Sequence, residues 1–294
     1  VQAIQTLVGQ MDDIEVTEGE VLNELLSVEQ IAQFVQTHNL TNEAIFANAN
    51  TFYEYQRALL TPQTNGQLEG YLSMNEYGNV EFGYKYTAAV QEILELKKYI
   101  ECLYLDETLL HASIRDFKPK DNPGTAVLET LKMVKGLRKS KLPQKGLFIA
   151  GENGVGKTHL LLALAKEFAG CKQKSIIVFV PELIRMLKQN PFEANETVRK
   201  LQAIPVLMLD DIGAEMQTSF SRDEVLLPIL NSRMNAQKLT FFSSNFSLPD
   251  LKLHFAKTQY GEHEPVKAAR MLERIEALSE YVGLIGENYR KQGK

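Results

Sequence analysis

Eight consecutive residues constrain this chain more than any others. Gly151-Glu152-Asn153-Gly154-Val155-Gly156-Lys157-Thr158 follows the pattern G-x-x-x-x-G-K-[ST] without a break. Such a loop works only between a buried strand and a helix, because backbone N–H groups and a positive helix end must converge on one anion. Both flanks are present: Leu147-Phe148-Ile149-Ala150 is a short apolar run, and a helical pattern follows that Gly170 can end. The glycines let the backbone wrap a phosphate. Lys157 is placed to reach the β- and γ-phosphates, and the Thr158 hydroxyl to bind Mg²⁺. The motif predicts a nucleoside triphosphate site in an α/β domain.

Three more apolar runs follow: Ile176-Ile177-Val178-Phe179-Val180, stopped by Pro181, then Val206-Leu207-Met208-Leu209, then Leu239-Thr240-Phe241-Phe242-Ser243-Ser244. Continuous apolar strands alternating with helices predict a parallel sheet covered on both faces, with ligands at the strands' carboxyl ends. The third run ends in Asp210-Asp211. Asp210 fits the Walker B role of holding Mg²⁺ through water, and Asp211 the position that polarises the attacking water. Asp is one methylene shorter than the Glu many ATPases carry there, which predicts slow turnover. Asn245 ends the fourth run and fits a sensor 1 contact to the γ-phosphate or the water. Arg270 and Arg274 lie four apart in a helical stretch, 268–275, and so share a face. Cations there can serve as an arginine finger and a second sensor; equally, they can be a solvated face beside Glu273.

Composition bounds the rest. At 294 residues, 44% hydrophobic and 23% charged, the chain has the make-up of about two globular domains. No apolar stretch approaches the ~18 residues of a membrane span, and no charged-then-apolar leader opens the sequence. Two cysteines, Cys102 and Cys171, cannot build a disulfide framework or a four-thiolate zinc site. A soluble cytoplasmic protein with no membrane partner is expected. Charge divides along the chain: residues 1–120 carry 18 acidic and 7 basic side chains, residues 121–294 carry 19 and 25. The acidic half repels nucleic acid and suits a protein partner, while the basic half suits an anion.

Helical patterns fill the first 60 residues. Ser27-Val28-Glu29-Gln30 has the form of a capping box ahead of Ile31, Phe34 and Val35. Thr41 or Asn42 can cap a second helix striped with Ile45, Phe52, Tyr53 and Leu59. Tyr71-Leu72-Ser73-Met74, a turn at 75–78 and Val80-Glu81-Phe82-Gly83-Tyr84-Lys85-Tyr86 predict an aromatic hairpin. Helical spacing returns over 88–105. Lys118-Pro119-Lys120-Asp121-Asn122-Pro123-Gly124 reads as a linker, and a helix over about 125–139 precedes the motif strand. The expected domains are 1–105, a linker 106–123, and 124–294.

GENGVGKTHL, VLMLDDIGAE, TFFSSNFS and VKAARMLERI, in that order and spacing, resemble the AAA+ ATPase domain of bacterial replicative-helicase loaders, the DnaI type above all, with the DnaC type as a cousin. The resemblance is specific over roughly 123–290; before residue 105 only the layout is similar. It implies a P-loop AAA+ parallel sheet with helices on both faces and a reduced lid, preceded by a small, mostly helical domain containing a β-hairpin. It implies an ATPase that binds ATP and Mg²⁺ through the P-loop residues Gly151, Glu152, Asn153, Gly154, Val155, Gly156, Lys157 and Thr158, extended by His159. It also implies docking of the N-terminal domain on a hexameric DnaB-type helicase, single-stranded DNA on the ATPase domain, and self-assembly with ATP. Arg270 then falls on the arginine-finger position and Arg274 on sensor 2. Lys188, Arg199 and Lys200, in the insert after the second strand, are candidates for the DNA contact, or a solvated helix face. DnaI-type N-terminal domains often hold zinc; residues 1–101 contain no cysteine and only His38, so aromatic packing is expected to hold this hairpin instead. Two rivals remain: a transposition helper with the same ATPase domain, and a binding module that ATP switches without hydrolysis.

Overall fold

The computed structural model describes residues 17–61, 66–106, 110–117, 124–261 and 263–288. The chain divides into two compact units, residues 1–92 and 93–294.

Among its described residues the first unit sets four helices with one hairpin: α1 (Glu18–Leu26), α2 (Glu29–His38), α3 (Asn42–Ala47), α4 (Ala49–Leu60), β1 (Leu68–Met74) and β2 (Val80–Tyr86). The capping box falls one helix earlier than expected. Thr17 accepts from the Glu20 N–H, and Glu20 accepts from the Thr17 N–H at 2.9 Å. Ser27 instead ends α1 in helical backbone geometry, its hydroxyl donating to the Glu24 carbonyl at 2.6 Å. An N-cap needs extended backbone, so Val28 takes the N-cap position of α2, without a capping side-chain hydrogen bond. Thr41 caps α3 as expected. The single helix expected beyond it is broken at Asn48, whose amide donates to the Ala44 carbonyl and whose Oδ1 accepts the Val80 N–H. Leu25, Ile31, Ile45, Phe52, Tyr55 and Val80 form the core, while Leu59 stays exposed. The hairpin pairs Met74 with Val80 and Leu68 with Tyr86. Phe82 stands edge-on to Tyr55 of α4 at 6.2 Å and to Tyr84 at 4.9 Å, so aromatic contacts pin the hairpin to the helices.

The second unit is a six-stranded parallel sheet between helices. In chain order its elements are α5 (Ala88–Lys97, which begins in the first unit), β3 (Ile100–Leu103), α6 (Gly124–Leu137), β4 (Gly146–Ala150), α7 (Lys157–Gly170), β5 (Ser175–Phe179), α8 (Val180–Gln189), α9 (Pro191–Ala203), β6 (Val206–Asp210), α10 (Leu227–Asn235), β7 (Leu239–Ser244), α11 (Leu248–Ala256), α12 (Pro265–Leu278) and β8 (Ser279–Gly283). The strand order is β3-β5-β6-β7-β4-β8. One core lies between the sheet and α8–α12, the other between the sheet and α6–α7.

Four strands stand where the apolar runs put them; the two edge strands were not anticipated. The helix expected over 88–105 ends at Lys97, and Ile100–Leu103 pairs with β5. β8 follows α12 without a break and pairs with β4. The large unit therefore begins inside the segment expected to be N-terminal, and Leu110 and Ala112, expected in a linker, are buried in its core. Residues 118–123 of that linker lie outside the described residues. Among the described residues, no helix is long and apolar enough to cross a membrane.

Candidate nucleotide site

The strand order sets β6, β7 and β4 side by side. The residues that follow their carboxyl ends, Asp211, Asn245 and Gly151, therefore share one rim of the sheet. Gly154 and Gly156 have φ of +84° and +97°, which explains glycine at both positions. α7 starts at Lys157, directly after the loop.

Lys157 is 7% exposed. Its ammonium donates to the carbonyls of Gly151 and Glu152, both at 2.8 Å, and to Asn245 Oδ1 at 2.6 Å. Asn245 Nδ2 in turn donates to Asp211 Oδ1 at 2.9 Å. The loop, the fourth-strand asparagine and the second carboxylate are thus joined in one chain of hydrogen bonds. A second chain runs beneath it. Thr158 Oγ1 donates to Asp210 at 2.9 and 3.1 Å, Ser243 Oγ donates to Asp210 Oδ1 at 2.6 Å, and the Asp211 N–H donates to Ser243 Oγ at 2.8 Å. Burial pushes the Asp210 carboxyl up, against the hydrogen bonds from Ser243 and Thr158. A buried carboxylate beside a hydroxyl is the hard oxygen donor set that suits Mg²⁺.

The cavity beside the loop has a volume of about 820 Å³. It is lined by P-loop residues, Asp210, Asp211 and Asn245, and by Tyr104, Leu105, Asp106, Asp116, Phe117 and Phe179. The segment carrying Asp116 is fastened to the loop helix: Asp116 Oδ2 lies 2.9 Å from His159 Nε2, and a capping box at Ser113 shapes the turn. The His159 contact and the Ser113 N–H hold the Asp116 carboxyl below its usual range. Phe117 leans over Gly156, where a Cβ would lie 3.2 Å from its ring. The lining combines polar loop and carboxylate groups with aromatic side chains, the mixture a nucleotide requires.

Of the residues singled out in sequence, Asn153, Gly154, Gly156, Lys157, Thr158, His159, Asp210, Asp211 and Asn245 line this cavity. Gly151 and Glu152 contribute carbonyls, and Val155 turns into the core. Arg270 and Arg274 do not line it. Arg270 is exposed on α12, while Arg274 donates to Asn231 of α10 and, at 2.7 Å, to the Arg270 carbonyl. Lys188, Arg199 and Lys200 are exposed on α8 and α9, away from the cavity lining, with Lys200 paired to Glu101 of β3. Sequence reasoning missed Ser243, visible only as a serine before the strand-end asparagine. It also missed Tyr104 and Leu105, at the end of the expected N-terminal domain, and Asp106, Asp116 and Phe117, in the expected linker.

Residues 116–294 match the family described as "IstB-like ATP binding protein". The chain is 40% identical over 235 residues to the replicative helicase loader DnaI of Bacillus subtilis (strain 168), covering 77% of this chain and 75% of that protein. A crystal structure of DnaI aligns at 36% identity with a TM-score of 0.57, covering 66% of this chain and 98% of that one. The DnaC helicase loader, at 23% identity and a TM-score of 0.50, covers 61% of this chain and 100% of that one, and speaks for the fold alone. The chain belongs to the IstB-like ATP-binding family and, within it, to the DnaI type of replicative helicase loader.

Proposed function

We propose that this protein uses ATP to load a hexameric replicative helicase of the DnaB type onto single-stranded DNA at the initiation of replication. One observation carries the reading. The similarity to the DnaI loader spans 77% of the chain, a longer stretch than the ATP-binding family match over 116–294. A transposition helper would share the ATPase unit alone.

In this reading the P-loop N–H groups and Lys157 bind the triphosphate, and Thr158 and Asp210 hold Mg²⁺. The metal, when bound, neutralises charge on the β- and γ-phosphate oxygens. Asp211 orients the attacking water and accepts its proton. Asn245, bonded to both Lys157 and Asp211, is placed to report the γ-phosphate to each. Arg270 and Arg274, turned away from their own cavity, serve a neighbouring copy in an ATP-ordered assembly. The 1–92 unit carries 13 acidic and 2 basic side chains and docks on a basic surface of the helicase. Lys188, Arg199 and Lys200 contact the DNA backbone, and the protein works in the cytoplasm.

Steady-state phosphate release, measured with helicase and single-stranded DNA present and Lys157→Ala as control, tests the enzyme. Release at the control rate with nucleotide binding intact would mean that ATP acts only as a switch. Unchanged single-strand affinity after replacing Lys188, Arg199 and Lys200 together with Ala would remove those residues from the DNA site.

A further inference from the structure

Glu215 belongs to neither the phosphate loop nor the metal pair, yet it is buried in the turn that carries Asp211. Leaving β6, the backbone takes φ of +58° at Asp211 and +96° at Gly213. The left-handed region is costly for a non-glycine residue, so the turn has to be held. Three contacts come from β7: the Asp211 N–H donates to Ser243 Oγ at 2.8 Å, the Ile212 N–H to the Ser243 carbonyl at 2.9 Å, and the Ser244 hydroxyl to the Ile212 carbonyl at 2.6 Å. Two are internal: the Ala214 N–H donates to the Asp211 carbonyl at 3.1 Å, and the Gly213 N–H to Glu215 Oε2 at 2.7 Å.

Glu215 is 3% exposed. Its other oxygen, Oε1, has no hydrogen-bond partner among the described residues and faces His254 Nε2 of α11 at 3.9 Å. His254 stacks on Phe246. Phe246 and Leu251 close on Gly213, where a Cβ would lie 2.8 and 2.7 Å from them. Phe246 directly follows Asn245, which donates to Asp211 Oδ1. A turn that merely needed filling would carry an apolar residue, because a carboxyl without a close cation is costly to bury.

We propose that Glu215 is a positioning residue for ATP hydrolysis: by accepting the Gly213 N–H it holds Asp211 against Asn245 in the cavity lining, and His254 of α11 with Phe246, just after β7, backs it. The proposal rests on the reading of Asp211 as the group that orients the attacking water. The contact requires an acceptor oxygen at that reach rather than a charge. Gln therefore replaces Glu, and Asp, one methylene shorter, does not.

The test is steady-state phosphate release by the whole chain with ATP, Mg²⁺, the cognate helicase and single-stranded DNA, alongside affinity for a fluorescent ATP analogue and the melting temperature. Displacing a catalytic group by an ångström can remove about a hundredfold in rate, so Glu215→Ala and Glu215→Asp are expected to lower kcat at least about tenfold, with nucleotide affinity within about twofold. Glu215→Gln is expected to stay within about threefold of wild type. Should the Ala variant not fold, the Asp and Gln pair decides. Asp and Gln variants that both turn over like wild type overturn the proposal. So do Asp and Gln variants in which kcat, affinity and melting temperature fall together. Wild-type release no faster than Lys157→Ala removes the hydrolysis reading and this proposal with it; active wild type matched by Glu215→Asp removes the proposal alone.

Discussion

At the scale of single residues, the site is a set of charges that hold one another in place. Lys157 and Asp211 meet through Asn245, and Asp210 meets Thr158 and Ser243. Each of these polar groups, from the buried Asp210 to the exposed Asn245, has a partner that fixes it. Removing the proton-accepting oxygen of Asp211 while keeping its shape is expected to separate chemistry from binding. Asp211→Asn should lower kcat by about a hundredfold or more while nucleotide affinity stays near wild type; an unchanged kcat in phosphate release would remove Asp211 from the mechanism. Glu215 gives a prediction for stability. Burial holds its carboxyl up at about 7 against an ordinary 4.5. Between those values the folded state binds more protons than the unfolded one. The stabilisation is therefore full below pH 4.5, declines as pH rises, and is lost above about 7. Such a shift corresponds to about 3 kcal/mol. Urea denaturation of wild type and Glu215→Gln should show wild type losing about 3 kcal/mol relative to the variant between pH 4.5 and pH 8. A difference that does not change with pH would contradict the burial argument.

At the scale of elements, the strand ends that build the site are anchored from the opposite end of the sheet by one guanidinium. Arg233 of α10 is fully buried. It donates to Thr240 Oγ1 and to the carbonyls of Leu201, Ile204, Pro205 and Leu239, at 2.6–3.2 Å. These acceptors lie at the end of α9 and the starts of β6 and β7. Burial pulls the guanidinium down to about 10, still charged at neutral pH. Lys cannot reproduce a five-donor planar fork. Arg233→Lys should therefore destabilise the protein by about 3 kcal/mol or more, read as a lower urea midpoint; a loss under about 1 kcal/mol would contradict this. The same scale shows what a sequence can disclose. β4 to β7 were legible because each is a buried, nearly continuous apolar run bounded by loop signals, and the phosphate motif marks the start of α7. β3 and β8 were not, because each is partly exposed and joined closely to a preceding helix, so no period or turn residue announces it. The capping box was displaced for a related reason: Ser27 and Thr17 both fit the pattern, and only backbone geometry decides between them. Tyr104, Leu105, Asp106, Asp116 and Phe117 join the site through tertiary packing, which local pattern cannot show.

At the scale of the whole molecule, charge is divided between the two units. Residues 1–92 carry a net charge of -11, and the whole chain -5, so the remainder is basic. An acidic unit that recognises a basic surface is screened by salt. Its association with the helicase should weaken by about tenfold or more between roughly 50 mM and 500 mM NaCl; a salt-independent affinity, measured by light scattering of the co-eluting complex, would point to an apolar interface instead. In the proposed function both units serve one act, the ATP-dependent transfer of a helicase onto a single strand. Its most direct measurement is the amount of cognate replicative helicase retained on circular single-stranded DNA after incubation with this protein and ATP. Wild-type protein should leave helicase on the circle, and Lys157→Ala, or wild type without ATP, should leave only the background seen with helicase alone. Equal retention with and without ATP and Lys157, or no retention above background with wild type and ATP, would contradict the account.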